Sequence, residues 1–476
     1  MQMKARVIGI FEDFKTESYE QLNNELNGML EKFLAKDAKI SHYKTIKTML
    51  HSDDDYDVIC IVGLGKVAEY DLNMHRKLIG AATKSLAYDA TVLVDSFIPN
   101  DADMLDYAQA ASEGVHLAQY QHVNYKKKAE DESPQIKIEF ESQQEIGASV
   151  GLGELLARFT NKARELYSTP ANNLTSADLA NIVLEFAEKH GLATDILGKC
   201  QLEEAGMGGI LAVNQGSINE PRLIVAKYMN SSSDEILGLI GKGVTFDTGG
   251  YSLKTAASMY GAHGDLGGAA TMFGAFCAIV EAKLPVNVML VIPSTDNVVS
   301  ANALKPGDVI KMLNGLTVEV NNTDAEGRLI LGDALTCATQ MGATRMINAA
   351  TLTGAVAQAL GGKITGAFTN NQSFMGEFTR ASEKAGEQVW ELPIFKPEQE
   401  ALKTSDVADL KNAPAGPGAL IAAAFLKEFV PDDIPWIHLD IAGTATMSDS
   451  ELGPNGASGV LVRTLFSYVE DFLTNV

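Results

Sequence analysis

The segment that decides the fold reads Ile236-Leu237-Gly238-Leu239-Ile240-Gly241-Lys242-Gly243-Val244-Thr245-Phe246-Asp247-Thr248-Gly249-Gly250-Tyr251-Ser252-Leu253-Lys254. Its apolar start is typical of a strand buried on both faces in a parallel sheet. In open α/β sheets, ligands bind just beyond the carboxyl ends of such strands. Glycines at this place let the backbone approach a ligand closely. The segment therefore predicts an α/β fold with a functional site that includes Lys242, Asp247 and Lys254.

A second polar cluster follows the apolar run Leu316–Val320 and reads Asn321-Asn322-Thr323-Asp324-Ala325-Glu326-Gly327-Arg328-Leu329. In extended backbone, side chains two residues apart point to the same side. Asp324, Glu326 and Arg328 are therefore predicted to lie on one side of a strand end. Two acids and an arginine so placed would pair or repel unless something else occupies the space between them.

A divalent cation is the simplest occupant of that space. A further acid, Asp265, precedes a predicted helix and completes a set of four candidate ligands: Asp247, Asp265, Asp324 and Glu326. Four acids supply enough oxygens for two ions about 3.5–4 Å apart, which can activate a water and polarise a carbonyl. Asp265 alone could equally cap the helix, and Asp247 beside two glycines could be a turn residue. Their convergence from separate strand ends favours the metal site.

The rest of the chain alternates strand and helix patterns, which indicates an α/β fold with mainly parallel strands. Strands are predicted at Ala5–Phe11, Tyr56–Val62, Ala90–Val94, Leu223–Tyr228, Glu235–Ile240, Val286–Ile292, Leu316–Val320, Arg345–Ala350 and Trp436–Ile441. Helices are predicted at Ser18–Leu34, Asp103–Tyr120, Ser142–Tyr167, Leu266–Ala282, Leu331–Gln340 and Leu420–Phe429. We expect a smaller N-terminal α/β domain (1–140), a linking helix (141–168) and a larger C-terminal α/β catalytic domain (169–476) with a mixed, mainly parallel sheet flanked by helices.

Composition narrows the class of protein. The chain has 476 residues, with 61 Asp and Glu against 38 Lys and Arg, a formal net charge of −23. Phosphate backbones and anionic membranes repel such a chain, so nucleic-acid and membrane partners are not expected. The four cysteines are scattered and no His-Glu-x-x-His motif occurs, so oxygen ligands must dominate any metal site.

Glu12 comes too early for a signal peptide, and a cytoplasmic protein is predicted. The charged run Tyr125–Glu132 is expected to be an exposed loop.

Two other classes of function stay open. The segment Val62-Gly63-Leu64-Gly65-Lys66-Val67-Ala68 matches a dinucleotide-binding loop, but no acid ends a second strand about 20 residues later, as that loop requires; Asp95 lies farther on. This leaves a nicotinamide enzyme as one alternative. The other is an acidic-cleft protein with a secondary DNA-binding regulatory role, against which the net charge argues.

The polar clusters resemble those of the leucine aminopeptidase family of dinuclear-metal exopeptidases, the cytosolic type also found in bacteria. The resemblance covers about Arg164 to Arg463 and depends mainly on Asn322-Thr-Asp-Ala-Glu-Gly-Arg-Leu329 and on the Lys-x4-Asp spacing of Lys242 and Asp247. Further matching segments are Tyr167-Ser-Thr-Pro-Ala-Asn172, Asn214-Gln-Gly-Ser217, Ala350-Thr-Leu-Thr-Gly-Ala355 and Leu439-Asp-Ile-Ala-Gly443. The segment Gly249-Gly-Tyr-Ser252 is similar to the corresponding segment of the bacterial peptidase B branch. The N-terminal third matches mainly at Val62-Gly-Leu-Gly65.

The resemblance implies a ligand set for two divalent ions. One ion would be held by Lys242, Asp247, Asp265 and Glu326. The second would be held by Asp247, Asp324 and Glu326, with the backbone carbonyl of Asp324. Zinc or manganese is expected, while magnesium and cobalt also fit carboxylates plus one amine. Lysine can coordinate only as the neutral amine, so the pKa of Lys242 is expected to be strongly lowered.

The resemblance also implies two catalytic residues that are not ligands, Lys254 and Arg328. Lys254 is expected to stay protonated and donate to the scissile carbonyl oxygen. Arg328 would hold a bicarbonate ion bidentately, which in the family acts as general base towards the bridging water. Backbone groups of three residues would complete the cradle for anion and substrate: Thr351, Leu352 and Gly354.

The implied substrates are peptides with a free N-terminus, whose amine would bind the Lys242-side metal and Asp265. Asn348 stands where relatives usually have aspartate, and its local hydrogen bonds are expected to rearrange without loss of activity. The implied assembly is a homohexamer. Bulky apolar first residues should be accepted, because the expected side-chain pocket is lined by small residues: Ala262, Ala442 and Ala445.

Overall fold

The computed structural model describes residues 3–51, 56–99, 102–127, 136–448 and 450–474. Of the charged run Tyr125–Glu132, residues 128–132 lie outside the described residues. The chain forms two compact units, residues 1–161 with 448–455 and residues 162–447 with 456–476. The division falls inside a long helix, between Asn161 and Lys162. The short segment Ser448–Asn455, far along the chain, groups with the first unit.

The first unit is a layered α/β structure. Its elements are β1 (Lys4–Phe11), α1 (Glu17–Glu25), α2 (Met29–Lys36), β2 (Ile46–Leu50), β3 (Val58–Gly65), α3 (Leu72–Lys84), β4 (Asp89–Leu93), α4 (Met104–Ala118), β5 (Ile138–Glu141) and the start of α5 (Gly147–Ser168). The sheet has the order β2-β3-β1-β4-β5, and β2 pairs antiparallel while the other pairs are parallel. Helices α1 and α2 pack on one face, and α3 and α4 on the other. The smaller N-terminal α/β domain is thus confirmed.

The helix predicted over Ser18–Leu34 is in fact two helices. Asn27 and Gly28 separate α1 from α2, with left-handed φ angles of 54° and 73°. Glycine adopts this region without strain and asparagine tolerates it better than most residues. The Asn-Gly pair therefore breaks a helix that the apolar spacing alone would continue. Sequence reasoning also missed β2, α3 and β5.

The glycines of the suspected dinucleotide loop have a packing role. A Cβ atom on Gly63 would overlap the backbone carbonyl oxygens of Ile40 and His42. Gly65 adopts a φ of 76°, and a Cβ atom on it would lie 3.2 Å from the Cβ of Tyr43. These glycines are required because another segment of the first unit crosses them closely. That crossing argues against the nicotinamide interpretation.

The second unit contains a larger set of elements. They are α6 (Ser176–His190), β6 (Ala193–Leu197), α7 (Lys199–Ala205), α8 (Gly208–Asn214), β7 (Arg222–Met229), β8 (Leu237–Gly241), β9 (Gly243–Asp247), α9 (Ala256–Met259), α10 (Gly267–Glu281), β10 (Asn287–Asn297), β11 (Val309–Lys311), β12 (Thr317–Glu319), α11 (Gly327–Gln340), β13 (Arg345–Ala350), α12 (Gly354–Leu360), β14 (Thr365–Thr369), α13 (Gln372–Ala385), β15 (Val389–Glu391), α14 (Lys396–Leu402), β16 (Leu410–Lys411), α15 (Gly418–Lys427), β17 (Trp436–Asp440), β18 (Thr446–Met447), β19 (Gly456–Ala457) and α16 (Val462–Leu473).

The main sheet of this unit has the order β15-β14-β17-β13-β8-β10-β7-β6, with β9 added beside β10. The central pairs β17–β13, β13–β8 and β8–β10 are parallel, whereas β14–β17, β10–β7 and β7–β6 are antiparallel. Every residue of β10 is buried, and so is almost all of α10. The predicted mixed, mainly parallel sheet flanked by helices is confirmed.

The strand predicted at Leu316–Val320 is not part of the main sheet. It forms β12 of a small sheet with the order β11-β12-β16. The second polar cluster therefore follows a strand of this small sheet. It contacts the main sheet where Asn297 ends β10. None of the helices in the described ranges has both the length and the apolar character needed to cross a membrane.

Candidate metal centre

Four chain segments bring three acids and a lysine together. Lys242 directly follows β8, and Asp247 is the last residue of β9. Asp265 lies in the 3-10 helix that precedes α10, and Glu326 is the residue before α11. One oxygen from each of the three carboxylates lies within 4.8 Å of the others. Since parallel strands end at the same edge of a sheet, the site lies where ligands of α/β sheets bind.

Lys242 is the cation at the centre of this cluster. Its Nζ lies 2.7 Å from Asp265, 2.8 Å from Oε1 of Glu326 and 3.1 Å from the carbonyl oxygen of Thr351. Burial would lower the pKa of Lys242, but the carboxylates of Asp265, Glu326 and Asp247 outweigh burial and raise it. From the sequence, a lowered pKa is expected for Lys242, whereas the chain alone raises it. A lowered value would require additional positive charge next to Lys242, such as a bound cation.

The pKa values of the three acids are shifted in different directions. Burial raises the pKa of Asp265 well above its usual value, although Lys242 opposes the shift. Burial and the neighbouring Glu326 raise the pKa of Asp247 to about 6. Burial also acts on Glu326, yet Lys242 lowers the pKa of that carboxyl. Three buried carboxylates this close repel one another, so added positive charge would stabilise the cluster.

Lys254 and Asp324 lie on the other side of Asp247. The Lys254 Nζ lies 2.7 Å from Oδ2 of Asp247 and forms a second ion pair with Asp324. Burial would lower the pKa of Lys254, but Asp247 and the other acids raise it. Lys254 is therefore protonated in this arrangement. Asp324 is the most exposed of the candidate acids.

Arg328 occupies a different backbone setting from the one predicted. Glu326 has helical angles, with φ −76° and ψ −35°, and α11 begins at Gly327. The predicted alternation of Asp324, Glu326 and Arg328 along extended backbone is wrong, because Arg328 lies in the first turn of a helix. Its Nη1 donates to the carbonyl oxygen of Asn412 at 2.8 Å, and its buried Nε has no hydrogen-bond partner among the described residues.

Burial lowers the pKa of Arg328 to about 10, although Glu326 and Asp440 oppose the shift. The side chain is 6% exposed. An arginine that is buried, charged and not fully hydrogen-bonded suits a planar oxyanion.

The loop after β13 is held by Asp440, a buried acid at the end of β17. Asp440 accepts hydrogen bonds from the backbone of Leu352 and Thr353 at 3.2 and 3.3 Å and from the Thr353 hydroxyl at 2.6 Å. Thr351 donates its hydroxyl to Oδ1 of Asp265 at 2.8 Å. The N–H of Leu352, expected to face an anion, is therefore engaged by Asp440.

The expected pocket residues have different surroundings. Ala262 is buried at the start of the 3-10 helix, and Gly354 is exposed at the first position of α12. Ala445 lines a small cavity together with Tyr167. Ala442 instead packs beside the apolar cluster of α12, β14 and α15.

Asn297 is a site residue that sequence reasoning missed. It is the last residue of β10, and its Nδ2 donates to Oδ1 of Asp247 at 2.8 Å and to the carbonyl oxygen of Thr323 at 3.0 Å. It therefore orients one acid and ties the two polar clusters together. The apolar run before it ends at Ile292, and Ser294-Thr295-Asp296 lie between that run and Asn297. The pattern that identified Lys242 therefore does not single out Asn297.

Asn412 is a second missed residue. Its Oδ1 accepts from the backbone of Asn321 and Asn322 at 3.0 and 3.3 Å. Its Nδ2 donates to the carbonyl oxygens of Asn322 and Ala325 at 2.7 and 3.3 Å. Asn412 directly follows the two-residue strand β16, and no pattern in its neighbourhood predicts a contact with a loop about 90 residues earlier.

Two family models match the chain. The catalytic-domain model of the cytosol aminopeptidase family matches residues 161–466, and the N-terminal-domain model of the same family matches residues 7–129. A probable cytosol aminopeptidase of Bacillus licheniformis is 42% identical over 99% of this chain and 97% of its own length. A probable cytosol aminopeptidase of Bacillus subtilis is also 42% identical, over 98% of this chain and 96% of its own length.

Solved structures give the same match over the whole chain. The bottromycin maturation enzyme BotP in complex with Mn superposes with a TM-score of 0.88 at 29% identity, covering 100% of both chains. A mutant of tomato leucine aminopeptidase superposes with a TM-score of 0.86 at 31% identity, covering 98% of this chain and 94% of its own.

Proposed function

The chain belongs to the cytosol aminopeptidase family, and from this premise we propose that it hydrolyses the N-terminal residue from peptides at a centre of two divalent ions. The observation that carries the proposal is the buried cluster of Asp247, Asp265 and Glu326 around Lys242. An acid cluster this deep in the protein requires positive charge. Lys254 supplies part of it, and divalent ions would supply the rest, with Lys242 bound to one of them as the neutral amine.

The donor set fits divalent ions. Lys242, Asp247, Asp265 and Glu326 would hold one ion, and Asp247, Asp324 and Glu326 the other. When bound, such ions lower the pKa of a shared water and polarise the peptide carbonyl. Carboxylates with one amine accept zinc, manganese, magnesium or cobalt. The manganese complex of BotP supports manganese, and zinc suits the same ligands.

Lys254 would stabilise the charge that develops on the scissile carbonyl oxygen. Its ammonium is held by Asp247 and Asp324 and is protonated. A fixed N–H donor aimed at an oxyanion contributes much of the rate enhancement in acyl-transfer enzymes.

Arg328 would bind bicarbonate close to the same centre. Its buried Nε–H and its position in the first turn of α11 leave it able to bind an oxyanion through parallel N–H groups. Bound bicarbonate supplies a base for the attacking water. Asn412 and the loop held by Asp440 keep Arg328 and the substrate cradle in place.

The preference for a free N-terminus follows from charge. The substrate amine would bind the Lys242-side ion and Asp265, whereas an acetylated or internal peptide offers no amine. Small side chains at Ala262 and Ala445 would take up little of a pocket for the first residue, so Leu, Met and Phe should be accepted. A kcat/KM that favours Ala over these residues would contradict the pocket assignment.

The test of the function compares a peptide amide with its N-acetylated form and the wild type with Lys254→Ala. We expect hydrolysis of the free peptide alone, and a kcat lower by about 10²–10³ in the variant, as for other oxyanion donors. Lys199→Ala, which removes an exposed lysine in α7, is the matched control and should keep wild-type kcat. Cleavage of the acetylated peptide, or an unchanged kcat in Lys254→Ala, would overturn the assignment.

We further propose that the enzyme works in the cytoplasm as a homohexamer, as the family resemblance implies. Sedimentation equilibrium of the full chain would measure the mass of the assembly. A monomeric mass would contradict the hexamer without affecting the peptidase assignment.

A further inference from the structure

A buried chain of hydrogen bonds runs across β13 and β17 beside Arg328. The Trp436 Nε1 lies 2.8 Å from Oδ1 of Asn348, and Nδ2 of Asn348 lies 2.9 Å from Nδ1 of His438. All three side chains are fully buried. The His438 ring is nearly parallel to the rings of Trp436 and Phe368, with interplanar angles of 10° and 19° and centroid distances of 6.3 and 5.8 Å. In this packing Nδ1 of His438 faces the amide of Asn348.

The donors and acceptors in this chain are fixed by chemistry. An indole N–H can only donate, so the atom of Asn348 that faces Trp436 must be the amide oxygen. The amide nitrogen of Asn348 must then face His438, and it can only donate. Nδ1 of His438 must therefore accept, and the proton of the neutral ring must be on Nε2.

Aspartate at position 348 would reverse this order. A carboxylate has no proton to donate, so after accepting from Trp436 its second oxygen would need a donor at Nδ1 of His438. The ring would then carry its proton on Nδ1, or on both nitrogens. Asparagine at this position therefore selects the tautomer in which Nε2 is the donor.

The Nε2–H of His438 and the Nε–H of Arg328 are both buried and have no hydrogen-bond partner among the described residues. His438 lies on the same face of β17 as Asp440, two residues away, and both side chains interact electrostatically with Arg328. Burial and the nearby Arg328 lower the pKa of His438 to about 3, in agreement with a neutral ring. A buried donor without an acceptor destabilises the protein, so both N–H groups need an acceptor.

We propose that Asn348 is a positioning residue that fixes His438 as the Nε2–H tautomer and makes it a second, uncharged donor for the oxyanion held by Arg328. This inference rests on the bicarbonate site of the proposed function. The buried anion then has one cationic and one neutral donor, which balances its single charge without placing a second cation beside Arg328.

The first test is nitrogen NMR of the full chain labelled with ¹⁵N-histidine and loaded with zinc, which is diamagnetic. We expect His438 to show a protonated Nε2 and an unprotonated Nδ1. Asn348→Asp should move the proton to Nδ1 or add one there. Trp436→Phe should give both tautomers, because it frees the Asn348 amide to turn, while Trp390→Phe at the exposed tryptophan is the control and should leave the spectrum unchanged. A protonated Nδ1 in the wild type, or one tautomer in Trp436→Phe, would overturn the inference.

The second test is binding of ¹³C-labelled bicarbonate to the same proteins, measured by carbon line broadening. Where the proton of His438 has moved from Nε2 to Nδ1 in Asn348→Asp, the loss of one hydrogen bond to a charged group predicts a dissociation constant about tenfold higher. Where both nitrogens are protonated, the Nε2 donor remains and the constant should not rise. An unchanged constant in a variant whose tautomer has moved would overturn the donor role of His438. Both measurements are independent of peptide hydrolysis, so an inactive wild type would contradict the proposed function alone. Absence of bicarbonate binding to the wild type would remove the anion site and the donor role together, and the tautomer would still be decided by the first test.

Discussion

At the scale of single residues, Asn412 orders the site although its side chain touches no expected ligand of the centre. Its amide uses both an oxygen and a nitrogen to hold the loop that carries Asp324, and its own carbonyl oxygen accepts from Arg328. A buried amide with partners on both sides is costly to replace, because each lost partner leaves an unsatisfied polar group.

Asn412→Asp is therefore expected to reduce kcat by about 10- to 100-fold, with a smaller change in KM. The carboxylate keeps the size of the amide but cannot donate to Asn322 and Ala325, and each buried bond lost costs about 1–3 kcal/mol. Steady-state kinetics on one peptide amide measures the effect. The exposed Asn302 provides the control Asn302→Asp, and equal kinetics in both variants would exclude Asn412 as a positioning residue.

Sequence patterns identified residues that follow strands and missed residues that reach the site from far along the chain. Lys242 and Asp247 end apolar strands, so their meeting at one sheet edge could be predicted. Asn412 and Asp440 follow or end strands too, but their partners are set by how distant segments pack. The alternation assigned to Arg328 failed because period two applies to strands, and the helix already begins at Gly327.

At the scale of elements, the clearest difference from the sequence prediction is the break between α1 and α2. Apolar spacing continues across it, whereas the backbone at Asn27 and Gly28 turns left-handed. Periodicity reports which face of an element is buried and does not report a local break. The strongly apolar strands β3, β8 and β13 were predicted to within a few residues, whereas β10 was predicted only as far as Ile292 and extends to Asn297. Short or half-exposed strands such as β2 and β16 were missed.

The left-handed turn between α1 and α2 leads to two substitutions whose effects on stability should have opposite signs. Gly28→Ala should destabilise the first unit by about 1 kcal/mol, because a side chain is strained at a φ of 73° although space is free. Gly151→Ala, at an exposed position inside α5 where a Cβ also meets nothing within 4 Å, should stabilise by about 0.5–1 kcal/mol. Calorimetry of the full chain measures both shifts. Shifts of the same sign would contradict the left-handed turn.

At the scale of the whole molecule, four of the 61 acids belong to the proposed metal centre, and several others pair with lysines at the surface. A centre of carboxylates and one amine would not need the clustered cysteine and histidine that the sequence lacks. The α/β class and the two-part organisation followed from alternation along the chain, but the grouping of Ser448–Asn455 with the first unit depends on contacts that no local pattern records.

Acid should weaken the first unit through His75. Its ring is fully buried, with Nδ1 2.8 Å from the Tyr70 hydroxyl and Nε2 3.0 Å from the carbonyl oxygen of Tyr107. Burial lowers the pKa of His75 to about 3, below the unfolded value of about 6.5. The stability that the neutral ring provides is therefore complete above pH 6.5 and is lost as the pH falls towards 3.

Between pH 6.5 and 5, the free energy of unfolding of the wild type should fall by about 1.6 kcal/mol more than that of His75→Gln, because the slope rises from about 0.7 to about 1.4 kcal/mol per pH unit as the unfolded ring becomes protonated. Urea titrations at the two pH values measure the difference. The exposed His42 gives the control His42→Gln, which should keep the wild-type dependence. An equal loss in wild type and His75→Gln would show that His75 is not buried neutral.

The central claim is that Asp247, Asp265, Asp324 and Glu326, with Lys242, hold two ions that drive hydrolysis, and the most direct measurement is metal content with activity on the same samples. After equilibrium dialysis against zinc or manganese, the wild type should hold two ions per chain, and Glu326→Gln and Asp324→Asn should hold fewer and lose turnover while remaining folded. Glu185→Gln at an exposed position of α6 should match the wild type. Two ions per chain with near-normal hydrolysis in Glu326→Gln would contradict the claim.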